Sequence, residues 1–219
     1  MDAGRSYVKS VPVGEPYHLN EERLEGADAE GGVCHVYPGI LVEPNRWIVM
    51  ACEEARASLG SGGGPFGAVL LQVDDGTGEV IRFWRDHNHV VERSDPTAHA
   101  EISVIRSSCQ ELGVIDLGAI RRDVSRLPQE GETSHCEIYS SCEPCPMCYS
   151  AIAWARIPVL VFSASCKDAS GKGVGFLDEE LKEDVCRGYG DRKVKVFQAV
   201  CPGTMDVFEM WKGGGYERY

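Results

Sequence analysis

Two segments far apart in the chain, His99-Ala100-Glu101 and Pro144-Cys145-Pro146-Met147-Cys148, carry residues that make chemical sense only if the fold brings them together. A lone Cys-x-x-Cys reads as a redox dithiol or as part of a metal site. With a histidine upstream, His99, Cys145 and Cys148 form a three-ligand set for one zinc ion per chain. Three protein ligands leave the fourth tetrahedral position to water, which separates a catalytic zinc from a closed structural one. Bound zinc lowers the pKa of that water to about 7. Glu101, two residues from the histidine, is placed to move protons without itself ligating. The residues leave a closed Cys₃His site open, because Cys142 lies three residues before Cys145. Pro144 suits the first turn of a helix, which puts Cys145 and Cys148 one turn apart and Cys142 in the strand end or loop before it. A redox dithiol leaves the His-x-Glu unexplained.

The chain has 219 residues, enough for one domain with a substantial core. It holds no apolar run of about 18 residues, so no membrane span is expected. Met1 to Ser10 carry charges but no apolar core, so no secretory signal is expected either. Without export, the ten cysteines read as reduced thiols, Cys52, Cys109, Cys166 and Cys201 as buried ones, and the compartment as the cytoplasm. The net charge is −12, from 34 acidic and 22 basic side chains. Polyanion binders need a basic stripe to release counterions from phosphate. None is visible, which argues against a nucleic-acid partner.

Residues 1–43, rich in Glu, Gly and Asp, read as an N-terminal extension partly ordered around Val33–Val42. From Pro44 the pattern changes to a domain spanning 44–219. Trp47, Ile48, Ala51 and Ala55 recur at helical spacing up to the Gly60–Gly64 run. Phe66–Gln72 and Glu79–Trp84 read as a hairpin across Asp74–Gly78. Ser94-Asp95-Pro96-Thr97 should cap a helix from about Ala98 to Leu112, closed by Gly113. Val114–Ser134 reads as a polar insertion with weak structure. Cys136–Ser141 and Pro158–Ala164 read as buried parallel strands joined by a helix over Pro144–Arg156. A short helix near Asp178–Cys186, a strand at Val194–Val200, a helix around Thr204–Trp211 and a glycine-led tail at 213–219 complete the chain. The fold expected is α/β, a three-layer α/β/α sandwich around a mixed central sheet. Both halves of the ligand set then sit at helix starts, where free N–H groups and the helix dipole favour thiolates and oxyanions.

With these residues in view, the chain resembles the cytidine-deaminase-like superfamily of zinc deaminases, whose signature is H-x-E…P-C-x-x-C. Within it the chain is most similar to the bacterial-type guanine deaminases. The likeness runs over about 47–219 and excludes 1–43 and 114–134. It is carried by Gly63-Gly64-Pro65-Phe66-Gly67-Ala68-Val69, Ser94–Glu101, Ser141–Cys148 and Ala151-Ile152-x-Trp154-Ala155-Arg156, and more selectively by Gly175-Phe176-Leu177-Asp178 and a tail ending Glu217-Arg218-Tyr219. The resemblance implies His99, Cys145 and Cys148 as zinc ligands and Glu101 as the proton shuttle. It implies Asp178 as a second catalytic carboxylate, and Asn88, Phe66, Ala100 and Tyr219 as substrate-binding residues. It also implies a small-molecule purine substrate and a homodimer with a swapped C-terminal segment that brings Tyr219 to the neighbouring subunit's pocket.

The residues alone leave other readings open. Asn88 suits a turn, Phe66 a core strand, Asp178 a helix cap and Tyr219 a frayed chain end. His87 and His89 read as surface or structural histidines, and Trp154 and Trp211 as packing residues. The activity implied is hydrolytic deamination of guanine to xanthine and ammonia. The alternatives are a guanosine deaminase, a tRNA adenosine deaminase and a structural zinc module without catalysis.

Overall fold

The computed structural model describes Tyr37, residues 40–171 and residues 173–216. Most of the expected N-terminal extension, Val33–His35 included, and the last three residues with Tyr219 lie outside the described residues.

The first helix, α1 (Arg46–Gly60), starts at Asn45, whose Oδ1 accepts from the N–H groups of Trp47 and Ile48 at 3.0 and 3.2 Å. Those contacts satisfy two of the donors left free at a helix start. Trp47, Ile48, Ala51 and Ala55 form its buried stripe. After the glycine run, β1 (Gly67–Asp74) turns into β2 (Val80–His87), with Asp74 Oδ1 accepting from Gly76 and Thr77 N–H, both at 2.9 Å. A short helix, α2 (Val90–Arg93), leads to α3 (Ala100–Leu112), which ends at Gly113 in the left-handed region, φ +71°. Next come β3 (Ile120–Arg121), β4 (Thr133–Cys142), α4 (Pro146–Trp154), β5 (Val159–Ala164), α5 (Cys166–Ala169), α6 (Asp178–Val185) and α7 (Thr204–Gly213).

The sheet is mixed. β1 pairs antiparallel with β2 on one side and with β4 on the other. β5 runs parallel to β4 along Glu137–Cys142, and β3 pairs antiparallel with its first residues. Side chains alternate across β1, so Ala68 and Leu70 pack with Ala100, Val104 and Ile152 of α3 and α4. Val69, Leu71 and Val73 pack with Trp47, Ile48 and Ala51 of α1. A strand covered on both faces should be apolar throughout, and every residue of β1 is buried. This is the expected three-layer sandwich.

Several local expectations are corrected. The 114–134 insertion is stitched into the domain: Leu117 and Ile120 are fully buried, and β3 lies within it. Its anchor is polar. The Gln72 amide donates to Gln129 Oε1 at 2.9 Å and to Ser134 Oγ at 2.8 Å, while Gln129 Nε2 donates to the Ile120 carbonyl at 3.2 Å. Residues 194–200 form no strand, and Phe197 and Val200 are exposed. β5 is only half-buried, Trp154 is exposed, and Cys52 and Cys201 are exposed rather than buried. Asp95 closes a turn onto Thr97 N–H at 2.8 Å instead of capping α3, which begins two residues later than expected.

Replacing Gln129 by Ala should leave the buried Gln72 amide short of a partner. We expect a loss of about 1–3 kcal/mol in denaturant unfolding, with zinc content unchanged. A midpoint equal to wild type would show that the insertion is not held by this contact.

Candidate active site

His99 and Cys145 are each the residue at which a helix begins. His99 precedes α3 with ψ 160°, Cys145 precedes α4 with ψ 166°, and neither makes a side-chain cap hydrogen bond. Pro146, rather than Pro144, takes the first position of α4, where its missing N–H costs nothing. Cys148 follows one turn on and is fully buried. The two helix starts meet: His99 Nδ1 lies 3.7 Å from Cys145 Sγ and 3.5 Å from Cys148 Sγ. Zinc bonds of about 2.3 Å to sulfur and about 2.0–2.1 Å to nitrogen put tetrahedral S and N ligands about 3.5–3.6 Å apart. The three side chains therefore fit the metal at which the donor set points, and among the described residues they form a group that could hold one zinc ion. The Cys148 thiol and His99 hydrogen-bond to Cys145 and hold its thiol down at about 4, against the effect of burial, while Cys148 as the proton donor is pushed up.

Cys142 is not part of this group. Its thiol points to the Ser165 carbonyl at 3.6 Å, and burial pushes it up to about 12, so it stays protonated. The closed Cys₃His arrangement is thereby set aside by geometry.

Glu101 sits in the first turn of α3 and is nearly inaccessible. Burial raises its carboxyl pKa, partly offset by its backbone hydrogen bond and by Ser140, whose Oγ donates to Oε1 at 2.9 Å. A cavity of about 470 Å³ opens in front of it, shared by His99, Cys145, Asn88, Phe66 and Asp178. Asp178 is the first residue of α6, preceded by Leu177, which makes no side-chain cap bond. Its half-buried carboxyl is raised by burial and by the negative charge of Cys145. Asn88 is buried, and its Oδ1 accepts from Val90 N–H at 3.2 Å. Phe66 meets Phe176 edge-on with ring centroids 4.7 Å apart. The Ala100 methyl packs into the core, so its backbone is what it presents.

Sequence reasoning did not assign Ser140, Phe176 or Gly63 to the site. Ser140 had no local signal, since its partner is 39 residues away. Phe176 stood within a quoted segment, two residues before Asp178. At Gly63 a Cβ would lie 2.4 Å from Ser58 Oγ and 2.8 Å from the Asn88 carbonyl, so only glycine lets this loop line the cavity.

Residues 42–164 match the family described as the cytidine and deoxycytidylate deaminase zinc-binding region. The chain is 32% identical over 167 residues to the guanine deaminase of Bacillus subtilis (strain 168), covering 76% of this chain and 90% of that protein. It is also 32% identical over 168 residues to the tRNA-specific adenosine deaminase of the same organism, covering 77% of this chain and 89% of that protein. The X-ray structure of the Bacillus subtilis guanine deaminase superposes with a TM-score of 0.63 at 29% identity, covering 81% of this chain and 99% of that one.

Cys142→Ser should retain one zinc per chain, whereas Cys145→Ser and Cys148→Ser should lose it. Metal analysis of the purified variants checks this. Loss of zinc from the Cys142 variant would restore the closed structural site.

Proposed function

This chain belongs to the cytidine and deoxycytidylate deaminase zinc-binding family, and from that premise we propose that it deaminates a free purine base, converting guanine and water to xanthine and ammonia. It is a zinc-dependent hydrolytic deaminase. The two relatives from one organism match it at equal identity, so identity does not choose between base and tRNA. Two observations favour the base. The net charge of −12 repels a polyanion. The observation that carries the reading is the Asn88 amide. Asn88 lines the cavity, and with Oδ1 engaged by Val90 N–H its N–H₂ is the group left to donate to a base there. Guanine offers two acceptors on one edge, O6 and N7, where adenine replaces one by an amino donor.

Zinc on His99, Cys145 and Cys148 supplies Lewis-acid activation of water near neutral pH. Glu101, buried and with a raised pKa, carries a proton to the ring nitrogen beside the carbon that bears the amino group, and then to the amine. Asp178 holds a second proton for the departing nitrogen. Water oxygen bonds to the ring carbon, the carbon–nitrogen bond breaks, and ammonia leaves. Phe66 packs on the base, and the free N–H of Ala100 at the start of α3 is offered to it. A cavity of about 470 Å³ also favours a second reading, in which the substrate is guanosine.

The C-terminal region supports a homodimer. Phe197, Val200, Met205, Phe208 and Met210 are all exposed, and no residue of α7 is buried. Such a stretch finds cover on a second copy of the chain. The nine cysteines of the described residues are all free, which suits the reducing cytoplasm. Among the described residues, no helix is long and apolar enough to cross a membrane.

Ammonia release from guanine, guanosine, cytosine, adenine and ammeline tests the substrate, with guanine expected to be fastest. Faster release from guanosine would select the second reading, and from adenine would overturn both. Glu101→Ala should keep close to one zinc per chain and lose roughly 10²–10⁴ in turnover; a variant that also lost its metal would make Glu101 a ligand. Asp178→Asn should lower kcat more than it raises KM.

A further inference from the structure

The residue after Asn88 is the least explained buried group near the cavity. His89 is 8% exposed, yet both of its ring nitrogens face carboxylates. Nε2 is 2.7 Å from Asp86 Oδ1 and Nδ1 is 2.5 Å from Glu92 Oε2. A neutral imidazole has one N–H and one lone pair, so it would satisfy one carboxylate and set its lone pair against the other. Only the imidazolium donates to both. Asp86 lies in β2 and Glu92 in α2, so the ring clamps the two ends of the turn that carries Asn88. Within that turn the backbone of Asn88 is held from both sides. Its N–H donates to the Phe66 carbonyl at 3.0 Å, and its carbonyl accepts from Ser58 Oγ at 3.3 Å.

We propose that His89, as an imidazolium bridging Asp86 and Glu92, is a positioning residue for Asn88, fixing the amide that reads the purine and making KM depend on pH. The inference rests on the reading of Asn88 as a base-binding residue.

The charged groups around the ring are Asp86 and His87 from β2 and Glu92 and Arg93 from α2. The His87 ring lies 4.5 Å away, and its Nδ1 is 3.6 Å from Glu54 of α1. Burial pulls the His89 pKa down and Arg93 opposes the proton, but the bonds to Glu92 and Asp86 outweigh both and leave it raised. A raised histidine pKa means that the clamp is complete below the ordinary value of about 6.5 and is lost as pH rises through the folded value. KM should therefore be lowest on the acid side and climb above it. Asp86, His87 and His89 also form a metal-type cluster, with ligand atoms within 4.8 Å. A metal needs a ring lone pair, however, and both His89 nitrogens are engaged by carboxylates.

The test uses the zinc-loaded full-length protein, with guanine as the probe, over roughly pH 6 to 9. His89→Gln should raise KM about three- to tenfold, the loss expected for one ordered hydrogen bond, with kcat within about twofold. Glu92 has a side chain 61% exposed, so Glu92→Gln removes a charge without opening a cavity, and it should shift the rise in KM to lower pH. NMR titration of the free protein reads the same device without turnover: the Asn88 side-chain amide should move with the midpoint of the His89 ring. Asn88→Ala separates the two levels. If it raises KM while His89→Gln does not, the positioning role is wrong and the reading of Asn88 stands. If Asn88→Ala leaves KM unchanged, that reading fails and the positioning role with it. An Asn88 amide that ignores the His89 titration, or a second metal lost from His89→Gln, would also overturn the proposal.

Discussion

The first turns of α3 and α4 each leave backbone N–H groups without intrahelical partners, and both aim them at the same spot because His99 and Cys145 occupy the N-caps. An N-cap is ordinarily Ser, Thr, Asp or Asn, whose oxygen satisfies one of those donors at about 0.5–2 kcal/mol. Here neither capping side chain does so. The uncapped donors instead leave positive potential where the thiolate of Cys145 lies. Local helix stability is given up at two places, and the sandwich around them supplies the compensation. α3 is packed against β1 through Val104 and Ile105, and α4 through Ile152, all within one core.

That packing also decides what the carboxylates do. Glu101 is on the inner face of α3, so forming the sandwich strips its water and leaves the Ser140 hydroxyl and the Cys148 thiol as its side-chain hydrogen-bond partners. Asp178 arrives from the other side. Its helix, α6, is moored by Lys182, one turn further on, whose Nζ lies 2.7 Å from Glu143. Glu143 also accepts from Cys166 N–H and Tyr37 Oη–H, both at 3.0 Å. Although burial opposes it, these bonds hold the Glu143 carboxyl at about 2, so it remains charged and keeps the mooring. Two carboxyls are raised and one is lowered within the same stretch of structure, because the first two lose water faster than they gain donors and the third gains these three polar contacts.

The candidate metal cluster was legible because its parts obey local rules. His-x-Glu and Cys-x-x-Cys at helix starts are short-range features, and the apolar runs of β1 and β4 announce a buried sheet. The strand expected at 194–200 failed for the opposite reason. Its apolar residues follow the pattern of a strand, but a pattern does not say whether the neighbour that covers it lies in the same chain. The insertion at 114–134 was misread because its anchor is one buried amide network and two core side chains, too few to register as periodicity.

Ligand types, their spacing and the net charge are properties of the string, and they alone pointed to the metal chemistry and argued against a polyanionic partner. The tertiary structure decided which cysteine stands outside the candidate zinc set, which donor engages the Asn88 Oδ1, and that His89 is clamped rather than idle. Each of those depends on contacts between residues brought together by packing, such as Cys142 with Ser165 or β2 with α2 across the turn. Burial and hydrogen-bond direction arise only when the layers close, and no local pattern encodes them.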